Sequence, residues 1–287
     1  MEGKAKWFTR ERIIGVTAAL ILSIIAFVFG LRWLEAAMTF HPVRISENNA
    51  VIPDGAEDVW LTTRDGVRLH GLFYRTTRGP VTATIIHFHG NGGNITNVEW
   101  VAERLTKRGF DTLLIDYRGY GRSLGESSDE AGLYADGDAA LSYIVDTRQV
   151  ATERIVLYGQ SLGTTVATDI AARNKCGALI LESGFSSASS VAKKALPWLP
   201  RWLHFLGKNR FDSASKLKSV TAPVLITHGD PDPVIPTEEA QALFAAANEP
   251  RKLRIFPGVG HNVVGSLGDG YLDLIEQFIR ESLAEKK

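Results

Sequence analysis

The segment LYGQSLGTTVA, residues 157–167, places a serine between two glycines, where an apolar run meets a helix-like run. The run RIVLYG (154–159) predicts a buried strand, and residues 162–173 predict a helix. Glycines lack a Cβ and relieve the crowding of such a sharp turn, so the pattern G-x-S-x-G suits this junction. A serine there projects its hydroxyl above the strand end, beside a helix N-terminus that favours a developing anion. Ser161 is therefore the candidate nucleophile.

Strand-like and helix-like runs alternate through most of the chain. Apolar runs predict further strands at 83–89, 111–117, 178–183, 223–229 and 252–256. Helical periodicity predicts further helices at 95–108, 131–147, 237–247 and 270–284. Two β-rich runs around Arg64-Asp65-Gly66 predict an opening hairpin. The pattern predicts an α/β fold whose mainly parallel sheet is covered on both faces and has an antiparallel N-terminal edge.

One segment, residues 184–222, interrupts this alternation. It contains the aromatic, basic and proline-interrupted run VAKKALPWLPRWLHFLGKNRF, residues 191–211. Two interpretations are open: a small cap insert over the carboxyl edge of the sheet, or an ordinary excursion packed on the domain.

The N-terminal region contains a stretch that could span a membrane. Residues 13–31 carry no charge and would form a helix about 28 Å long, close to the thickness of the bilayer's hydrocarbon core. A cleaved secretory signal is the alternative, but its apolar core is usually shorter, roughly 7–15 residues. Four basic residues precede the stretch, and Arg32 alone follows it directly. The positive-inside rule then predicts a single-pass signal anchor, with a cytoplasmic N-terminus and an extracytoplasmic catalytic domain in the periplasm, the lumen or at the cell surface.

The predicted organisation has three parts. Residues 1–32 form the cytoplasmic tail and transmembrane anchor, residues 33–54 a juxtamembrane linker, and residues 55–287 the catalytic domain, which includes the insert.

Composition excludes several functional classes. The chain has 32 basic and 32 acidic residues and lacks the interleaved aromatic and basic residues of a nucleic-acid surface, so no nucleic-acid partner is expected. No obligate protein partner is evident either. The single cysteine, Cys176, excludes an intrachain disulfide and a cysteine-based metal cluster, and we expect it near the surface, at the end of a helix.

A nucleophilic serine needs a base, and the base needs an acid to orient it. Among seven histidines, His261 alone lies in a glycine-flanked loop after the last predicted strand, which makes it the candidate base. Asp230 and Asp232 both follow a predicted strand and are possible acids. Asp232 is preferred because neighbouring prolines stiffen its loop, whereas Asp230 is expected to cap the turn. Asp116 and Glu182 also end strands, and we expect them to hydrogen-bond to loop backbone.

Acyl transfer also needs donors for a developing oxyanion. The N–H of Leu162, directly after the serine, is one candidate. The loop HGNGGN (89–94) follows a predicted strand, and the N–H of Asn91 is the second candidate. A phosphate-binding loop is the competing interpretation, but neither glycine motif typical of one is present. His87 and His89 could suggest metal ligation, but no further pair of ligands completes a site, so no metal and no organic cofactor are expected.

Several motifs together resemble a known family. The order Ser161, Asp232, His261 matches that of α/β-hydrolases. The motifs HFHGNGGNI, DYRGYGRSLGE, LYGQSLG, THGDPDPVIP and GHN, over about residues 55–285, resemble the α/β-hydrolase superfamily. More narrowly, they are similar to its single-pass, membrane-anchored branch. This resemblance implies the α/β-hydrolase fold, the three residues above as a catalytic triad, and Leu162 and Asn91 as oxyanion donors.

The resemblance implies a serine hydrolase of acyl esters, which includes esterases, lipases and acyl-thioesterases. The anchor and the aromatic insert favour a lipid-like substrate over a small soluble ester. Two alternatives remain: a peptidase or amidase on the same scaffold, and a catalytically idle binding protein. Fold alone does not choose among these functions.

Overall fold

The elements of the chain are seen in a computed structural model. It describes residues 10–46, 51–127, 129–195, 197–198 and 207–284. Predictions for the tail before residue 10, for the linker at 47–50 and for the insert at 199–206 fall outside the described residues.

The described strands and helices follow the predicted alternation. The strands are β1 (His41–Pro42), β2 (Ala56–Thr62), β3 (Arg68–Tyr74), β4 (Ala83–Phe88), β5 (Gly92–Gly93), β6 (Phe110–Ile115), β7 (Ile155–Gln160), β8 (Ala178–Glu182), β9 (Val224–Asp230) and β10 (Arg251–Pro257). The helices are α1 (Arg10–Thr39), α2 (Glu99–Thr106), α3 (Glu130–Ser142), α4 (Gly163–Arg173), α5 (Ala188–Ala195), α6 (Ser213–Leu217), α7 (Thr237–Ala246), α8 (Val263–Leu267) and α9 (Asp269–Ala284).

An eight-stranded sheet organises the domain. Its strand order is β10-β9-β8-β7-β4-β6-β3-β2. All neighbouring pairs are parallel except β2–β3 and β3–β6. The predicted parallel sheet with an antiparallel N-terminal edge is therefore confirmed. Because β4, β7, β8, β9 and β10 are adjacent and parallel, their carboxyl ends meet at one edge, where ligands bind in open sheets of this kind.

Both faces of the sheet are buried, which explains the nearly continuous apolar strands. On β7, Ile155 and Leu157 belong to one core cluster, together with residues of α3, α4, α6 and α7. Val156 and Tyr158, which alternate with them, belong to the other, together with residues of α2, α8 and α9. Alternate side chains of a strand point to opposite faces, so helices on both sides require apolar residues at every position.

The antiparallel edge begins with the predicted hairpin between β2 and β3. Gly66 has φ +84°, a left-handed conformation that glycine adopts at little steric cost. The N–H of Thr63 donates to the Val67 carbonyl at 2.9 Å, and the Gly66 N–H donates to the Thr63 carbonyl at 2.9 Å. The Thr63 hydroxyl donates to Asp65 at 2.6 Å. The glycine and the hydrogen bonds within residues 63–67 therefore determine the turn between β2 and β3.

The described part of the insert packs on the domain. Phe185 and Phe211 are buried edge to face, with ring centroids 6.3 Å apart. Glu239 of α7 accepts hydrogen bonds from the Ser186 N–H at 2.8 Å and the Ser186 hydroxyl at 2.6 Å. These contacts fit a packed excursion for residues 184–195 and 207–222.

Helix α1 is long and apolar enough to cross a membrane. It has 30 residues, none of them buried, and its most apolar window has a mean hydropathy of 2.6. It continues through Thr39, past the predicted boundary at residue 32, because the residues that follow favour helix. Near its end, Glu35 accepts hydrogen bonds from the backbone N–H groups of Lys208 at 2.7 Å and Asn209 at 2.8 Å. The helix is thereby joined to the insert.

The prediction that Cys176 lies near the surface is wrong, since the residue is 4 % exposed. After α4 the chain turns directly into β8, and the N–H of Gly177 donates to the Ile155 carbonyl at 2.7 Å. This tight connection carries Cys176 into the apolar cluster on that side of the sheet.

Candidate active site

Ser161 occupies a strained turn between β7 and α4. Its φ is +51°, in the left-handed region, and the residue is 8 % exposed. A Cβ on Gly159 would lie 2.4 Å from the Gly163 carbonyl oxygen, and one on Gly163 would lie 2.0 Å from the Phe88 carbonyl oxygen. Both glycines are required by close backbone approach. Strain of this kind typically concentrates at functional sites.

The structure brings Ser161, His261 and Asp232 into one hydrogen-bonded chain. His261 Nε2 lies 2.9 Å from the Ser161 hydroxyl oxygen. His261 Nδ1 lies 2.7 Å from Asp232 Oδ2. A carboxylate can only accept, so Nδ1 carries the proton and Nε2 is free to take the hydroxyl proton. The arrangement can therefore raise the nucleophilicity of the serine.

Asp232 is held as a carboxylate by its surroundings. Burial of the side chain opposes ionisation, but hydrogen bonds from His228, His261 and the N–H groups of Ile235 and Val234 outweigh it and hold the pKa of Asp232 below its usual range. Oδ1 accepts from Val234 at 2.7 Å and from Ile235 at 3.0 Å. The acid thus has a fixed orientation and a stable negative charge.

The other predicted acids lie apart from this chain of hydrogen bonds. Asp230 ends β9, is exposed, and accepts from the Gly258 N–H through its backbone carbonyl rather than its side chain. Asp116 accepts from the Ile95 N–H at 2.9 Å. Glu182 accepts from the Val264 N–H at 2.9 Å. Asp116 also accepts from the Arg122 N–H, in the loop after β6, at 3.4 Å, as expected for it, whereas Glu182 binds backbone in the first turn of α8 rather than in a loop.

Two residues that support the site were missed by sequence reasoning. His228 Nε2 lies 3.2 Å from Asp232 Oδ2. The Ser183 hydroxyl donates to the His261 carbonyl at 2.6 Å. Glu182, considered above, is completely buried: its carbonyl accepts from the Ser161 N–H at 2.8 Å, and its side chain accepts from the Val264 N–H in α8. His228 and Ser183 are polar residues at the carboxyl ends of β9 and β8, so an inventory of strand ends would have found them.

The candidate oxyanion loop lies against the nucleophile. A Cβ built on Gly90 would lie 3.6 Å from the Ser161 Cβ. His89 Nδ1 lies 2.7 Å from the Gly90 carbonyl oxygen, and burial lowers the pKa of His89, so a neutral ring donates this bond. The peptide whose carbonyl is held in this way carries the N–H of Asn91. Leu162, the other predicted donor, is the N-cap of α4.

A cavity of about 230 Å³ opens beside Ser161 and His261. Its lining is rich in neutral amides and also includes Trp100. The described lining residues are His89, Gly90, Asn91, Gly92, Asn94, Asn97, Val98, Trp100, Gln160, Ser161, His261, Asn262 and Val264. None of these described residues is acidic, and none belongs to the insert.

The strand histidines considered as metal ligands are buried in the sheet. His87 stacks on Tyr158 with ring centroids 4.3 Å apart, and burial lowers its pKa to about 3. Within the described ranges, no group of three or more His, Cys, Asp or Glu residues is arranged to hold a metal ion.

Known proteins of similar sequence identify the family of the chain. A family model described as "Serine aminopeptidase, S33" matches residues 79–215. An uncharacterized protein of Mycobacterium tuberculosis strain H37Rv is 33% identical over 94% of this chain and 95% of its own length. The α/β-hydrolase domain-containing protein WAV2 of Arabidopsis thaliana is 30% identical over 95% of this chain and 94% of its own.

A solved structure shares the fold. The Pyrococcus furiosus esterase Pf2001 superposes with a TM-score of 0.69 at 21% identity, over 85% of this chain and 99% of that one. Shared sequence over nearly the whole chain, the sheet order and the serine turn lead to one conclusion. The chain belongs to the α/β-hydrolase superfamily.

Proposed function

We propose that the chain is a membrane-anchored serine hydrolase that cleaves acyl esters through an acyl-enzyme, with Ser161, His261 and Asp232 as its catalytic triad. The observation that carries the proposal is the continuous hydrogen-bonded chain from the Asp232 carboxylate to the Ser161 hydroxyl, with distances of 2.7 Å and 2.9 Å. Thioesters belong to the same chemical class, because their carbonyl carbon is attacked in the same way.

In the acylation half-reaction, the Ser161 oxygen attacks the substrate carbonyl carbon while its proton passes to His261 Nε2. Asp232 stabilises the imidazolium that forms. The N–H groups of Leu162 and Asn91 donate to the oxyanion of the tetrahedral intermediate. His261 then protonates the leaving oxygen as the carbonyl reforms, and the acyl group remains on Ser161.

In the deacylation half-reaction, water replaces the alcohol. His261 takes a proton from the water, whose oxygen attacks the acyl carbon. The second tetrahedral intermediate collapses with release of the carboxylic acid, and His261 returns its proton to Ser161. Each step balances without a metal or organic cofactor.

The cavity lining favours an ester over the substrate of an aminopeptidase. A free α-ammonium group is best bound by a carboxylate. The described residues around the cavity are neutral amides, histidines, a serine and apolar side chains. Such a lining suits an uncharged acyl group and provides no described counter-ion for an ammonium.

Three chromogenic substrates separate the ester and amide hypotheses. We expect kcat/KM for p-nitrophenyl butyrate to exceed that for butyryl p-nitroanilide and for alanyl p-nitroanilide by at least about 100-fold more than the ratio of their uncatalysed hydrolysis rates, because only an interaction that improves in the transition state raises the rate. Steady-state kinetics on the purified full-length protein measure the ratio. A higher kcat/KM for alanyl p-nitroanilide would establish the peptidase alternative instead.

The position of the anchor supports a lipid-like substrate. His41 lies two residues beyond the end of α1, and its N–H donates to the Asn91 carbonyl at 3.0 Å. Asn91 lines the cavity. An amphiphilic ester held in the bilayer surface would therefore need to travel only a short distance to Ser161.

We further propose that α1 spans the membrane with its N-terminus in the cytoplasm. A protease added from outside to sealed, right-side-out membranes should remove a C-terminal epitope and leave an N-terminal epitope intact, because charge asymmetry retains the basic flank inside. Immunoblots for the two epitopes, with and without detergent, measure this. Full protection of the C-terminal epitope without detergent would refute the orientation.

A further inference from the structure

The segment that follows the membrane helix forms a strand against the candidate oxyanion loop. β1 pairs in parallel with β5, so that His41 faces Gly92 and Pro42 faces Gly93. The N–H of His41 donates to the Asn91 carbonyl at 3.0 Å, and the N–H of Val43 donates to the Gly93 carbonyl at 3.1 Å. Backbone N–H groups of the segment after α1 therefore hydrogen-bond directly to the candidate oxyanion loop.

The same segment is held on its other side by the loop that follows β6. The Val43 carbonyl accepts from the Gly121 N–H of this loop at 3.0 Å, and also from Asn94 Nδ2 of the 89–94 loop at 3.0 Å. The Ile45 N–H donates to the Gly121 carbonyl at 2.8 Å, and Arg44 donates to the Gly125 carbonyl at 2.6 Å. The segment of residues 41–45 therefore lies between two loops of the catalytic domain and is hydrogen-bonded to both.

Together these contacts fix both peptide planes that meet at Asn91. His89 holds the Gly90 carbonyl at 2.7 Å, and that peptide carries the Asn91 N–H. The next peptide, which carries the Asn91 carbonyl, is held by the His41 N–H and by the Tyr120 hydroxyl at 2.8 Å. With both planes held, the direction of the Asn91 N–H is set. One of these restraints, the hydrogen bond from the His41 N–H, comes from the segment that precedes the predicted catalytic domain at 55–287.

We propose that residues 41–45 are a positioning element of the oxyanion hole, so that the segment joining the anchor to the domain is part of the catalytic apparatus. The inference rests on the proposed function, since it assigns the Asn91 N–H to the oxyanion. Donors for an oxyanion act only when preorganised, and loss of one such donor typically costs about 10²–10³-fold in kcat. Removing one of the hydrogen bonds that position this donor should lower kcat by less than removing the donor itself.

Val43 permits a test that changes one hydrogen bond. The residue is 55 % exposed, so Val43→Ala removes little packing and keeps the N–H. Val43→Pro removes the N–H that donates to Gly93 and leaves the carbonyl in place. His41→Pro and His41→Ala form a second pair, which tests the bond to the Asn91 carbonyl. All four variants are made in the full-length chain.

The measurement is the turnover of p-nitrophenyl butyrate per active site. Active sites are counted by labelling the serine to completion with a fluorophosphonate. We expect each proline variant to lower kcat about 10- to 100-fold relative to its alanine partner, with KM changed less than about threefold, because the oxyanion forms only in the transition state. A strand that serves only stability would lower the number of titrated sites and leave kcat per site unchanged.

Two results would overturn the inference. One is equal kcat per site in the proline and alanine variants. The other is failure of both proline variants to accumulate while both alanine variants do, which would make the strand a folding requirement. An unlabelled and inactive wild-type protein would instead refute the proposed function itself, so the two failures are distinguishable.

Discussion

Replacing Ser161 by alanine should abolish turnover of p-nitrophenyl butyrate, with kcat reduced roughly 10⁵-fold or more. Ser161→Ala removes the oxygen that the proposed acyl-enzyme requires, and no second hydroxyl in the described structure takes its place opposite His261 Nε2 at 2.9 Å. Labelling by a fluorophosphonate should disappear as well. A spectrophotometric assay of p-nitrophenol release measures turnover, and in-gel fluorescence of the same preparations measures labelling.

A distant serine provides the matched control. Ser142 ends α3 and is exposed, so Ser142→Ala makes the same chemical change away from the site. The control should retain wild-type turnover and labelling. Because Ser161 has a strained φ of +51°, the folded fraction of Ser161→Ala should be checked by thermal unfolding. Persistent labelling of a folded Ser161→Ala protein would reject this residue as the nucleophile.

Replacing Asp232 by asparagine should lower kcat about 10³- to 10⁴-fold, as expected when the acid of a triad is neutralised. The geometry explains the size of the effect. Oδ1 accepts two backbone N–H groups, at 2.7 Å and 3.0 Å, so the asparagine oxygen must stay there and its NH₂ must face His261 Nδ1. Nδ1 then has to accept, and the ring proton moves to Nε2. A protonated Nε2 cannot take the proton of Ser161.

Asp230→Asn is the matched control for this experiment. Asp230 is exposed and two residues away, and both aspartates were open as the acid when the sequence alone was considered. Asp230→Asn should keep kcat within about twofold and label with a fluorophosphonate at the wild-type rate, whereas Asp232→Asn should label slowly, because its Nε2 cannot take the Ser161 proton. Steady-state kinetics of the two variants side by side decide the assignment. An equal loss in both, or a greater loss in Asp230→Asn, would remove Asp232 from the proposed triad.

Local patterns were sufficient to predict the fold. Strands β4, β7 and β8 are buried on both faces, so each is an apolar run that can be recognised without knowing its neighbours. The strained turn at Ser161 was predictable for the same reason, because its glycines and its flanking elements lie within one short segment. The candidate nucleophile could therefore be named from residues 154–173 alone.

The partners of the serine were only partly accessible from the sequence. His261 was singled out because its loop follows the last strand, although it lies 100 positions from Ser161. The sequence favoured Asp232 over Asp230 as the acid but contained no physical observation that excluded Asp230. The two differ in burial and in hydrogen bonding to His228 and to loop backbone, and those contacts exist only after β9 and its loop have folded.

By itself, the sequence determined the α/β class, the serine turn and an apolar helix long enough to span a membrane, since each depends on periodicity or on a few neighbouring residues. Tertiary structure alone decided where the segment after that helix goes. Val43 and Asn94 are 51 positions apart, and their hydrogen bond joins backbone to a side chain. Backbone hydrogen bonds can be made by almost any residue, so the pairing of β1 with the candidate oxyanion loop leaves no recognisable pattern in the sequence.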